Sequence, residues 1–171
     1  MPRKRNRSKE SHAAKARGGF PIVALGASAG GLEPLKDFFA HVPPDSGMAF
    51  VVLTHQHAGH LSLMAELLGR ETTMPVIEVS QPTSIEPNHV YTSKPGCHLG
   101  ILHGELHSVQ PDPQASLRLP VDYFFRSLAL DQKHLAIGIV LSRTGTDGTL
   151  GIKEIKGSLG MVMVQSEEDA Q

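Results

Sequence analysis

The chain is 171 residues long, 40% hydrophobic and 19% charged, the balance of a folded domain rather than a disordered one. That length holds one domain of ordinary size with a tail, and buries enough surface to need no covalent staples. A single cysteine, Cys97, excludes an intramolecular disulfide and a four-cysteine zinc site, and no apolar run is long enough to span a bilayer.

The net charge of −1 is unevenly spread. Residues 1–17 carry Arg3, Lys4, Arg5, Arg7, Lys9, Lys15 and Arg17 against the single acid Glu10, which leaves the rest of the chain mildly acidic. Residues 1–19 therefore read as a basic, disordered leader and residues 20–171 as the folded domain. The leader lacks the apolar core of a secretory signal, so a cytoplasmic protein is expected. With no basic patch in the body and 5% aromatic residues, nucleic acid is not an expected partner, and neither is an inserted membrane.

Past Gly19 the pattern alternates between strand and helix. Pro21 to Gly26 is a short apolar run suited to a buried strand. Leu32, Leu35, Phe38 and Phe39 follow at helical spacing, with Pro34 tolerated in the first turn and Pro43–Pro44 as the stop. Met48 to Leu53 is a second buried strand, Leu61, Met64, Ala65 and Leu68 a second helix, and Val76 to Val79 a third strand. Residues 80–119 hold five prolines between the short runs Val90–Ser93, Leu99–Leu102 and Leu106–Val109, which reads as small antiparallel pieces. Pro120 then opens a helix carrying Val121, Phe124, Phe125 and Leu128. Ala136–Leu141 is a strand, Gly148–Lys156 a helix and Met161–Gln165 a final strand. The expected fold is α/β: a doubly wound, mostly parallel sheet with helices on both faces and a small antiparallel hairpin region.

Three turns that follow buried strands carry the chemistry. The first, Gly26-Ala27-Ser28-Ala29-Gly30-Gly31, matches G-x-S-x-G, in which small neighbours let a serine sit on a sharp strand-to-helix turn. Ser28 is either a nucleophile there or an idle serine in a glycine-rich turn. A dinucleotide loop fails, because Ser28 replaces the glycine that lets a pyrophosphate approach. The second turn places His55 directly after a strand, with His57 and His60 close by. No local carboxylate or cysteine joins them, so His57 and His60 read as ordinary loop histidines and no metal is expected. The third places Asp147 between a strand and a helix, either as the N-cap of that helix or as the acid that orients a histidine. Loops after parallel strands share one edge of the sheet, which brings Ser28, His55 and Asp147 together as nucleophile, base and orienting acid.

At these residues the sequence resembles the catalytic domain of chemoreceptor protein-glutamate methylesterases, the CheB family, and especially the esterase modules of fused methylesterase–methyltransferase proteins. The matching stretches are Gly26–Gly31 (G-A-S-[TA]-G-G), Val51–His55, Pro120–Phe125 and Gly138–Gly148 (near L-[TS]-G-x-G-x-D-G), within a resemblance running from about Phe20 to Gln171. The resemblance implies a serine hydrolase that removes methyl groups from glutamate methyl esters on chemoreceptors, with glutamine deamidation in some members. Ser28 would be its nucleophile, His55 its base and Asp147 its orienting acid, with backbone N–H groups near Ala29 and Thr144 holding the oxyanion and no cofactor required. Methylated chemoreceptors, and a methyltransferase domain, are the partners it implies. The alternative function is a non-catalytic module that keeps the scaffold and binds receptors or a partner domain.

Three positions depart from the family pattern: Ala29 stands for threonine, Arg143 for glycine and His57 for proline. The resemblance also implies a further helix and strand beyond Gln171, and no receiver domain is recognisable before residue 20.

Overall fold

The computed structural model describes residues 19–55, 63–112, 119–141 and 146–166. Its first half alternates β1 (Ile22–Ala27), α1 (Leu32–His41), β2 (Ala49–Thr54), α2 (Met64–Leu68) and β3 (Val76–Val79). Four short strands follow: β4 (Thr83–Ser84), β5 (Val90–Ser93), β6 (His98–Leu102) and β7 (Glu105–Val109). The chain then forms α3 (Pro120–Gln132), β8 (Ala136–Leu141), α4 (Thr149–Gly157) and β9 (Met161–Val164).

Six strands make one parallel sheet in the order β3-β5-β2-β1-β8-β9. From β1 the sheet continues through β8 and β9 on one side and through β2, β5 and β3 on the other, with β5 inserted between β2 and β3. β1 lies at the centre and all six of its residues are buried. Its alternate residues feed two cores. Ile22 and Ala24 face the side where Val121, Phe124, Phe125 and Leu128 of α3 and Ile155 of α4 pack. Val23, Leu25 and Ala27 face Leu35 and Phe39 of α1 and Leu68 of α2. Burial on both faces explains why β1 and β2 read as unbroken apolar runs rather than alternating ones.

A separate antiparallel sheet has the order β4-β7-β6. Its hairpin turns at His103 (φ 53°) and Gly104 (φ 73°), two left-handed residues in the pattern of a tight two-residue turn. The carboxylate of Asp131, near the end of α3, accepts hydrogen bonds from the N–H groups of both, at 2.5 and 3.0 Å. The hairpin is thereby fastened to the helix it packs against.

The sequence reading needs two corrections here. Val90–Ser93 is not an antiparallel piece; it enters the main sheet as β5, parallel to both β2 and β3. All four of its residues are buried, so a run too short to show a period is placed by its double burial. The second partner in the small sheet besides β6–β7 is Thr83–Ser84, which carried no strand signal. The expected helix from Leu61 begins at Met64, and Leu61 itself lies outside the described residues. Of the basic leader, residues 1–19, all but Gly19 also lie outside them.

β9 forms one edge of the main sheet, and Met161, Met163 and Val164 are about half exposed along it. Within the sheet, Thr92 of β5 is fully buried and its hydroxyl has no hydrogen-bond partner among the described residues. Burying an unpaired hydroxyl is costly, and valine has nearly the same shape without it. Thr92→Val is expected to raise the thermal midpoint by about 2–4 °C, equivalent to about 1 kcal/mol, as followed by circular dichroism. A lowered midpoint would mean that the hydroxyl has a partner.

Candidate active site

Ser28 and His55 are positioned by strand register. β1 pairs with β2 through Ala27↔Thr54, so the next residue on each strand is Ser28 and His55 respectively. On the other side of β1, Ala27 pairs with Leu141 of β8, whose loop leads to Asp147. The three residues therefore leave three adjacent strands at the same edge, with Ser28 on the middle one.

His55 and Asp147 meet across that middle strand. The His55 Nε2 lies 3.0 Å from Asp147 Oδ2. Strands two places apart in a sheet are separated by roughly 9–10 Å, so this contact has to bridge the end of β1, where the chain turns at Ser28. With Nε2–H donated to the carboxylate, the lone pair of the neutral ring lies on Nδ1. The ring is partly open to solvent, with its side chain 45% exposed, whereas the Asp147 side chain is only 9% exposed.

Asp147 is held from behind by α3. Its Oδ2 also accepts a hydrogen bond from the Val121 N–H at 3.1 Å, and its Oδ1 one from the Asp122 N–H at 2.9 Å. These are donors of the first turn of α3, which have no acceptor inside the helix. Leu119, at the N-cap position, has no side-chain oxygen to offer them. Of the two readings of Asp147, the contact with a histidine is present, and the cap on its own following helix is not. Gly148 occupies the N-cap of α4, and with its φ at +93° between Asp147 and the helix, the carboxylate reaches α3 instead.

The electrostatics follow from these contacts. The hydrogen bond to Asp147 raises the His55 pKa above its ordinary value, against partial burial that opposes it, and the charge of Asp147 adds to the rise. For Asp147 burial pushes upward, but the His55 hydrogen bond and the two α3 N–H groups outweigh it and hold the carboxyl below its ordinary value.

Close approach of α3 depends on glycines. A Cβ on Gly26 would stand 2.5 Å from Val121 Cγ1, and one on Gly151 would stand 2.4 Å from Phe125 Cβ. Gly26 thus has two uses: it opens the serine turn and makes room for the helix end that holds Asp147.

The chain leaves β1 at Ser28 in an extended conformation (φ −88°, ψ −173°) and enters a 3₁₀ turn, Ala29–Gly31, that continues into α1. The first bond of that turn runs from Gly31 N to Ser28 O, 2.8 Å. The N–H groups of Ala29 and Gly30 precede it and have no acceptor within the helix. Thr144, the other expected oxyanion residue, lies outside the described residues, as do Arg143, His57 and His60. Among the described residues no group of three or more His, Cys, Asp or Glu side chains is arranged to hold a metal. The sequence reading missed Val121 and Asp122 as partners of Asp147. Pro120 marked where a helix begins, but nothing local shows what its free N–H groups meet.

The CheB methylesterase family model matches residues 23–171. The chain belongs to the CheB methylesterase family. It is 34% identical over 150 residues to the protein-glutamate methylesterase/protein-glutamine glutaminase 1 of Xanthomonas campestris, an alignment covering 85% of this chain and 42% of that protein. It is 28% identical to the protein of the same name from Syntrophus aciditrophicus, covering 88% of this chain and 43% of the relative. The CheB-type chain thus spans less than half the length of these relatives. Its fold matches the crystal structure of the Thermotoga maritima CheB methylesterase catalytic domain with a TM-score of 0.80 and 26% identity, covering 89% of this chain and 82% of that one.

Two predictions follow from the geometry of this CheB-type site. Gly26→Ala forces Val121 away and is expected to cost about 1–3 kcal/mol in urea unfolding, by overpacking. An unchanged midpoint would show that α3 shifts freely. For pH, the His55 contribution to stability is complete below 6.5 and is lost as pH rises through its raised folded pKa. The Asp147 contribution is complete above 3.8 and is lost as pH falls through its lowered folded pKa. The stability difference between wild type and His55→Gln is therefore expected to be largest from about pH 3.8 to 6.5 and to shrink on either side, measured by urea unfolding across pH.

Proposed function

We propose that this chain is a serine hydrolase acting on glutamate methyl esters of chemoreceptors, with Ser28, His55 and Asp147 as its catalytic set. The observation that carries the reading is the 3.0 Å His55–Asp147 contact spanning the end of β1, the strand that delivers Ser28. A base and its orienting acid joined over a serine turn have the arrangement that activates a hydroxyl.

In the forward step the Ser28 Oγ proton passes to His55 Nδ1 as the oxygen attacks the ester carbonyl. The N–H groups that open the Ser28 turn, led by Ala29, hold the developing oxyanion, with Thr144 as the second expected donor. The His55 Nδ1 proton then passes to the leaving methoxide, and methanol departs from an acyl-serine. A water molecule gives its proton to the same nitrogen, attacks the acyl carbon, and Ser28 leaves reprotonated, with glutamate as product. Throughout, ionised Asp147 stabilises the imidazolium without taking its proton.

An amide in place of the ester would release ammonia from the same tetrahedral intermediate, so glutamine deamidation belongs to the same machinery. The substrate requires a glutamate-methylating enzyme upstream, which makes a methyltransferase the functional counterpart. Among the described residues no helix is long and apolar enough to cross a membrane. On the same reading of its substrate, the chain meets its receptors in the cytoplasm.

The test combines an active-site fluorophosphonate with methanol release from methylated receptor membranes. Wild type is expected to label stoichiometrically and Ser28→Ala not at all, with turnover down by about a millionfold. Labelling of neither protein would favour a non-catalytic scaffold. Because the His55 pKa is raised, the acid limb of kcat/KM is expected to have its midpoint above 6.5, and Asp147→Asn to move it downward while lowering kcat by about 10⁴-fold.

A further inference from the structure

One buried carboxylate near the site takes no part in the proposed chemistry. Asp122, in the first turn of α3, is 5% exposed, and its Oδ1 accepts a hydrogen bond from the Gly151 N–H at 2.6 Å. Gly151 lies in the first turn of α4, whose first intrahelical bond runs from Ile152 N to Gly148 O. Its N–H is therefore a donor the helix itself leaves unsatisfied. Like α3, α4 has no local cap, because Gly148 carries no side chain.

The two helices solve this shortage for each other. Asp147, just ahead of α4, accepts from the N–H groups of Val121 and Asp122 in α3. Asp122, within α3, accepts from Gly151 in α4. Each helix start is capped by an acid from the other's segment, and Asp122 takes part in both exchanges: its N–H holds Asp147, and its carboxylate holds the turn that follows Asp147. The close approach this requires is the one opened by Gly151, whose missing side chain makes room for Phe125.

We propose that Asp122 is a positioning residue for Asp147: its carboxylate locks α4 to α3 and so sets where the Asp147 carboxylate meets His55. Asp122 acts through this geometry and not through its charge. Asparagine keeps an oxygen at the same reach and preserves the lock, alanine removes it, and glutamate keeps the charge but carries its oxygens one methylene too far. The proposal rests on the hydrolase reading for its effect on turnover, and on the His55–Asp147 contact alone for its effect on the histidine.

The experiment compares Asp122→Asn, Asp122→Ala and Asp122→Glu by steady-state methanol release and by NMR titration of His55 in the full chain. Expected are a kcat within about threefold of wild type for Asn, and losses of about 10–100-fold for Ala and Glu with KM within twofold. In the Ala and Glu proteins the His55 pKa is expected to fall toward 6.5, the ordinary value, while the Asn protein keeps it raised. Should the Ala protein fail to fold, the contrast between Asn and Glu carries the test. Equal kcat and equal His55 titration in the Asn and Glu proteins would overturn the proposal, as would an Asn protein as impaired as the Glu one. If wild type itself releases no methanol, the hydrolase reading fails, and the His55 titration still decides the role of Asp122.

Discussion

The arrangement of the site depends on a carboxylate meeting the start of a helix that is not its own. Asp147 takes three N–H donors at once, two from the first turn of α3 and one from His55. The backbone donors are fixed by the helix, so they fix the carboxylate, and the carboxylate fixes the ring. A group with this many donors remains ionised although it is largely buried, because hydrogen bonds to the charged form outweigh the loss of water. An exposed ion pair would offer no such precision, since two flexible side chains in water hold one geometry only weakly.

The rest of the fold keeps α3 in place for this contact. On its inner face, Val121, Phe124, Phe125 and Leu128 are buried against the central strands. At its far end, Asp131 grips the turn of the β6–β7 hairpin, which anchors the helix about three turns away from Asp147. At its near end, Gly26 lets Val121 come down onto β1. The small antiparallel sheet, distant in sequence from His55 and Asp147, is thus part of what sets the position of their contact.

Much of this was legible in the sequence. The apolar runs of β1, β2 and β8, the glycine-rich Ser28 turn and the position of His55 right after a strand are local patterns whose meaning survives folding. Parallel topology follows from their alternation with helices, and parallel topology alone puts their following loops at one edge. The placement of Val90–Ser93 was not legible, because four apolar or small residues between prolines look the same whether they pair within a hairpin or enter a central sheet. Asp147 had two readings, a cap for its own helix or an acid beside a histidine; it meets the histidine, and the helix start it caps is that of α3. Local reasoning assigns an acid to the nearest helix, and nothing in the local sequence announces that a helix start 25 residues earlier lies closer in space.

The uncapped start of α3 was the available signal. Leu119, just before Pro120, stands where an oxygen-bearing residue is usual, and a helix lacking a cap implies donors that find acceptors elsewhere. The sequence by itself determined the residue types, the strand-ending turns that carry them, and the edge of the sheet at which they emerge. Only the tertiary structure decided that His55 reaches over β1 to Asp147 and that α3 and α4 exchange carboxylates through Asp122 and Asp147. Periodicity and turn chemistry act over a few residues, whereas these contacts exist because a packed sheet brings together chain segments that the sequence keeps dozens of positions apart.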